Sequence, residues 1–225
     1  MVFSITAYLL FVALNISGVK IAATFELVVT VLAVAALLFF SLITFPEFQF
    51  SHLQQNALPF GYAGVMAAIP FAIWFFLGIE GVANLAEEAI NPKRTILIGF
   101  GSAIATLVVL CVITFTSSVG VAGWEAIVFK ADGSSSDSPL PLAMGLIVDS
   151  SSWSYRALLI VGLFGLIASF HGLMLAAGRS TYEFGRVGYA PSFLGKVHPK
   201  FQTPANALII NMMLGLLALF SGKTG

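Results

Sequence analysis

Apolar runs long enough to cross a membrane constrain this chain more than any other feature. A hydrocarbon core roughly 30 Å thick takes about twenty helical residues to cross. Runs of this kind lie at 19–44, 62–90, 95–122 and 153–178, with shorter ones at 2–15 and 204–222. Inside lipid every backbone N–H and C=O needs an internal partner, and segments this long find one as helices rather than as barrel strands. The soluble alternative fails on composition. Apolar residues make up 59% of the chain and charged residues 9%, too little charge to cover a globular domain in water. The expected fold class is therefore all-α, a polytopic transmembrane helical bundle forming one domain over 1–225.

Orientation follows from the basic residues of the short connections. Lys20, the Lys93/Arg94 pair, and Arg179, Arg186, Lys196 and Lys200 fall on alternate connections. The stretch 47–59 has no basic residue, and 123–152 has only Lys130. Six crossings with the basic side cytoplasmic fit this pattern, and the N-terminal edge then lies outside. The first run is too short to cross unaided. The outer connection 123–152 holds a polar tract at 132–138 that must be solvated, bracketed by Trp124 and Trp153 as aromatic residues are at a membrane interface. The inner segment 179–203 is broken by Pro191 and Pro199, and a short interfacial helix is expected there. No basic n-region or cleavage site opens the chain. Both ends look cut, so the chain reads as the middle of something longer.

Several chemistries are disfavoured. Cys111 is the single cysteine, inside an apolar run, so there is no disulfide framework and no cysteine metal spacing. The formal charge is zero, and nothing in the bulk field points to nucleic acid. Gly222-Lys-Thr224 copies the end of a phosphate loop, but Leu217 stands where its first glycine is required. No nucleophile-elbow context surrounds any serine.

The most informative stretch runs from Ala68 to Arg94. Gly78 and Gly81 flank Glu80 about midway along the run. A carboxylate at that depth costs at least ~2.5 kcal/mol, so it should face a cavity or a partner. Each glycine weakens the helix by about 1 kcal/mol relative to alanine. A helix interrupted at mid-membrane presents backbone carbonyls and amides to a ligand, as transporters use them. The plain alternative is a protonated Glu80 packed between helices, with glycines permitting close approach. Trp74, one turn before Gly78, can cover the break and offer its face to a cation, or can simply pack.

The run Trp74-Phe-Phe-Leu-Gly-Ile-Glu-Gly-Val, continuing through Ala86-Glu-Glu-Ala-Ile-Asn-Pro-Lys-Arg94, resembles the sixth span and following loop of the amino acid–polyamine–organocation (APC) permeases. Gly178-Arg-Ser-Thr-Tyr-Glu-Phe-Gly-Arg-Val-Gly-Tyr-Ala-Pro191, with His198-Pro-Lys-Phe-Gln-Thr-Pro-Ala205, resembles the segment after span eight. Leu14-Asn-Ile-Ser-Gly-Val-Lys20 is similar to the junction of spans four and five. The three matches occur in family order and cover nearly all of the chain. Within the family the wording is most similar to bacterial ethanolamine permeases.

The resemblance implies a chain running from span four to span nine of a twelve-span protein with two five-helix inverted repeats, spans one and six both broken at the substrate site. It implies a multi-pass protein of the bacterial inner membrane. The expected activity is secondary transport of a small amine or amino acid, ethanolamine first, by alternating access. It needs no cofactor beyond coupling to H+ or Na+. Trp74 would be the aromatic gate, Leu77, Gly78 and Ile79 the unwound substrate-binding backbone, and Glu80 the acid coupled to substrate or proton. Gly178 stands where a serine is common, and Arg186-Val-Gly188 replaces the frequent Arg-Asp-Gly; both departures touch the cytoplasmic side.

Beyond span six, His171 and Ser169 lie in the apolar run Leu166-Ile-Ala-Ser-Phe-His-Gly-Leu. A membrane imidazole is a candidate proton or substrate contact, or a neutral ring bonded to a neighbouring helix. Ser169 can line a sodium or substrate cavity, or bond its own helix. Asn84, one turn beyond Glu80, has the same two readings. Glu87 and Glu88 are expected to be solvated or paired with Lys93 and Arg94. Glu26, about two turns after Lys20, is expected near the inner interface. No Lys or Arg occurs between Thr24 and Leu58, so no cationic substitute for sodium is expected on span five. An intramembrane enzyme using Glu80 and His171 is the competing reading from another class.

Overall fold

A computed structural model describes residues 2–79, 81, 89, 91–130 and 132–222. Among them the chain is helical, with no strand and one isolated bridge between Phe129 and Ser135. The helices are α1 (Val2–Ile16), α2 (Val19–Thr44), α3 (Phe50–Gln54), α4 (Gly61–Ala72), α5 (Pro92–Ala122), α6 (Trp124–Val128), α7 (Pro139–Gly145), α8 (Trp153–Arg186) and α9 (Ala205–Ser221). Three helical stretches, Val19–Glu47, Pro92–Ala122 and Trp153–Arg186, are long and apolar enough to cross a membrane. The architecture is that of an all-α transmembrane protein.

Local chemistry sets the breaks. Gly18 at φ 138 divides α1 from α2, a conformation that side chains rarely adopt. Pro46 ends α2 through a 3₁₀ turn, Phe45–Glu47. Pro92 opens α5, where its missing N–H costs nothing. Within the spans, some threonine hydroxyls return to their own helix, Thr24 to Lys20 O and Thr44 to Phe40 O.

The chain divides into two compact units. One comprises Met1–Val29, Gly78–Ile96 and Ile167–Gly225. In it α1 packs on α9, and the buried residues include Phe11, Asn15, Ala22, His171, Thr203 and Leu208. Thr203 closes this unit by donating to Ile16 O at 2.8 Å. The other comprises Thr30–Leu77 and Leu97–Leu166, with a core of Phe40, Val119, Ile127, Ala143, Met144 and Leu158. There α6 packs on α7, and Trp124 Nε1 donates to Asn56 O at 3.0 Å. The exposed tip of this outer segment is tied by Asp132, which accepts from the backbone N–H and the hydroxyl of Ser134 at 2.9 and 2.6 Å. Those bonds, the hydroxyl's first, hold its carboxyl below the ordinary carboxylate range.

The inner segment departs from expectation. No separate interfacial helix forms after residue 186 among the described residues; α8 continues unbroken to Arg186, and turns follow. The cause is close packing. A Cβ on Gly185 would collide with the backbone of Leu194 and Gly195, so the chain folds back on α8 where a helix would not fit.

Candidate functional site

The third apolar run does not form one continuous α-helix. Regular α-helix stops at Ala72, two residues after Pro70, and tightens into a 3₁₀ turn over Ile73–Phe76. Leu77 is extended, at φ −63 and ψ 127, and Gly78 takes φ 88, a region only glycine enters freely. The Gly81 N–H then donates to Gly78 O at 2.9 Å. Proline, aromatic bulk and glycine thus act in sequence to stop a helix in the middle of an apolar run. A broken helix at this place leaves backbone polar groups needing partners other than the usual i−4 carbonyl.

Before the break, Trp74 has 72% of its surface exposed and Leu77 55%, so an indole face and an apolar side chain stand uncovered. Beyond the break, Gly78 and Ile79 are half-buried. Glu80 and Asn84, together with Glu87 and Glu88, lie outside the described residues.

Gly78 and Gly81 lie against α8. A Cβ on Gly78 would meet Leu173 Cδ2 at 3.5 Å, and one on Gly81 would meet Ala176 Cβ at 3.6 Å. Ser169, exposed, is four residues before Leu173 and seven before Ala176, so all three share one stripe of the helix. At about 100° per residue, His171 lies roughly 200° from Leu173, on the other side of α8. The structure therefore brings Ser169 to the stripe that receives the turn and turns His171 away from it.

His171 faces α1 and α2 instead. Its ring is fully buried, with Phe11 and Phe25 edge-on at centroid distances of 5.8 and 5.0 Å. Its Nδ1–H donates to Glu26 Oε2 at 2.7 Å. The Glu26 side chain is 30% exposed, so the carboxylate end of the pair opens outward while the ring end is sealed. Nε2 is buried and has no partner among the described residues. Gly172 lies beside the pair: a Cβ there would stand 3.1 Å from Glu26 Oε1 and press the carboxylate aside by a few tenths of an ångström. Glu26 is the functional candidate that sequence reasoning missed. One signal was present: Glu26 and His171 each sit seven residues in from the inner end of an antiparallel run, 19–44 and 153–178.

Two cavities are found, one of which shares Leu173 with the stripe that meets Gly78. One of about 290 Å³, within the first unit, is lined by Tyr8, Phe170, Leu173, Met174, Asn211 and neighbours. Asn211 Nδ2 donates to Thr181 Oγ1 beside it at 2.8 Å. A larger one of about 460 Å³, in the second unit, is lined by small and apolar residues such as Ala33, Ala36, Gly162 and Gly165 and by none of the sequence-predicted site residues. Among the described residues no cluster of three or more His, Cys, Asp or Glu could hold a metal ion.

Comparison with known proteins gives the arrangement a context. The family model described as amino acid permease matches residues 1–224. The chain is 31% identical to an uncharacterized transporter of Rhizobium meliloti strain 1021, over 96% of this chain and 46% of that protein. It is 28% identical to the vacuolar cationic amino acid transporter 4 of Arabidopsis thaliana, over 75% of this chain and 27% of the relative. It is 26% identical to the methylthioribose transporter of Bacillus subtilis, over 87% of this chain and 40% of the relative. The chain thus spans less than half the length of these curated relatives. The matched proteins are transporters and not enzymes, and the intramembrane-enzyme reading is set aside. Family and apolar helices together make this a multi-pass membrane protein.

Proposed function

The chain belongs to the amino acid permease family, and from that premise we propose that the protein containing it is a secondary transporter of a small amine or amino acid, working by alternating access in a bacterial inner membrane. The observation that carries this reading is the interrupted third span, with Gly78 at φ 88 between a 3₁₀ turn and Gly81. An uninterrupted helix presents only side chains to a substrate; a broken one adds backbone donors and acceptors at the depth where transporters bind. Trp74 closes over the ligand, residues 77–79 supply backbone contacts, and Glu80 compensates a substrate ammonium. Ser169, on the α8 stripe beside Gly78, and Asn84 are the further residues we assign to coupling.

Ethanolamine is the substrate we favour. It carries an ammonium and no carboxylate, so an indole face and one acid suffice to hold it. An amino acid substrate is the second reading, favoured by the cationic amino acid transporter among the relatives. Uptake of labelled ethanolamine, L-leucine and L-arginine by the full-length protein in proteoliposomes decides between them. Saturable ethanolamine uptake, abolished by excess unlabelled ethanolamine and lowered in Glu80→Gln, is the expected result. Uptake of the amino acids alone selects the second reading, and Glu80→Gln with unchanged uptake at every pH removes the role given to that acid.

A further inference from the structure

Polar side chains in these spans mostly serve their own helix. Asn15 Nδ2 donates to Phe11 O at 2.9 Å, and the threonines do likewise. The pair formed by Glu26 and His171 does not. It joins α2 to α8, 145 residues apart in sequence, through an ionisable bond set against two phenylalanine rings. A ring kept only for packing in that apolar setting would be better replaced by another apolar side chain, since an unpartnered buried nitrogen is costly. Among the described residues, Nε2 is such a nitrogen.

We infer that the Glu26/His171 pair is the proton-binding site that couples transport to the proton gradient, holding one exchangeable proton per cycle. The inference rests on the transport reading above and names its coupling ion. In the bonded arrangement the loaded proton is the one on Nδ1: the ring is an imidazolium, with a hydrogen on Nε2 as well, and with the Glu26 carboxylate it makes a net neutral pair. Unloading passes the Nδ1 proton out through the Glu26 carboxylate, the partly exposed end, and leaves the Nε2–H tautomer beside a carboxylate, a net negative pair. No covalent bond other than N–H changes. The groups around the ring fit a single-proton device. Phe11 faces it from α1, and Phe25 and Glu26 from α2. Tyr8 of α1 meets Phe170 instead, and α9 carries no titratable side chain. Lys20 stands six residues before Glu26 on α2, and Arg179 eight residues after His171 on α8.

The same stretch of α8 carries Leu173 and Ala176 against the positions of Gly78 and Gly81. With the proton bound, a charge-assisted hydrogen bond holds α2 to α8; without it Nδ1 has no hydrogen to give and the bond is lost. Protonation therefore biases the helix on which the broken segment rests, which is what coupling requires.

The test uses the full-length protein in proteoliposomes loaded with a pH-sensitive dye, with labelled ethanolamine, L-leucine and L-arginine as probes. Counterflow exchange needs no gradient, whereas accumulation does. For a one-proton symport, each pH unit of inward gradient yields about tenfold accumulation. Glu26→Gln and His171→Gln are expected to keep exchange while accumulation falls to a ratio of about one and internal acidification vanishes. Undiminished gradient-driven accumulation in either variant overturns the inference. So does loss of exchange and accumulation together in a variant that remains monodisperse, which would mark the pair as structural. Should the Gln variants not fold, Glu26→Asp is read instead: a displaced pH profile supports the site, and an unchanged one rejects it. Wild type that exchanges a probe but ignores the pH gradient sinks the proton site alone. Wild type that exchanges none of the probes sinks the transport reading, and the proton site with it.

Discussion

Two regions of this chain break the rules of a membrane span, and they do so in opposite ways. At residues 73–79 the backbone is irregular while the side chains are apolar or absent, and Trp74 stands uncovered. At Glu26 and His171 the backbone is regular helix and the irregularity is ionisable side chains, hidden among phenylalanines. The first region spends its irregularity on openness, offering polar backbone to whatever enters. The second spends it on a bond between helices, and leaves one nitrogen without a partner among the described residues. Gly78, at the end of the first region, and the Glu26/His171 pair lie against different sides of α8.

The sharpest way to break this contrast is to remove the ring and keep its bulk. His171→Phe preserves packing beside Phe11 and Phe25 but strands the Glu26 carboxylate. Removing one partner of a fully buried pair costs about 3–5 kcal/mol, and a partly exposed carboxylate reduces this to about 2 kcal/mol. A drop in thermal midpoint of the detergent-solubilised full-length protein would register it, and His171→Phe/Glu26→Leu should recover most of the loss. Next comes the turn. Gly78→Ala forces a side chain into left-handed backbone at about 1–2 kcal/mol, and Gly78→Asn should cost less because asparagine tolerates that region. If alanine is neutral there in the same thermal assay, the break is not held by the glycine.

Smaller effects sharpen the contrast further. Ser169→Ala, on the exposed stripe beside the turn, should change stability by less than about 0.5 kcal/mol, so any fall in uptake would report on function alone. The smallest effect belongs to the outer segment, remote from both regions. The Asp132 carboxyl is held below its ordinary range by Ser134, so its contribution is fully present above the ordinary carboxylate range. It is lost as pH falls through the lowered value. The protection of the Ser134 amide, its exchange rate relative to the intrinsic rate at the same pH, should fall at acid pH, and Asp132→Asn should remove that pH dependence.

The helical architecture was legible because lipid leaves the backbone one economical solution, and runs such as 19–44 and 153–178 advertise it. The interruption near Gly78 was legible too, since glycine and proline act locally. The bond between Glu26 and His171 was not. Equal depth in two antiparallel runs hints at it, but which faces of α2 and α8 meet is a matter of tertiary packing. For the same reason Ser169 and His171, two residues apart, read alike in sequence and serve different sides of the helix. The inner segment misled for a related cause. Its amphipathic character suggests a helix, while the contact between Gly185 and Gly195 leaves room only for a turn.

Water access along the interrupted span tests the transport reading most directly. In the full-length protein with Cys111 replaced by serine, and any cysteines outside this chain likewise removed, single cysteines placed at positions 74 to 81 would be exposed to a membrane-impermeant thiol reagent. Labelling at 77, 78 and 79, slowed by saturating ethanolamine or the amino acid that proves to be the substrate, is the result expected of a broken helix facing an aqueous pocket. No labelling at any of these positions, in protein that is folded and inserted, would mean the segment faces lipid or packed protein, and the transport site would have to lie elsewhere.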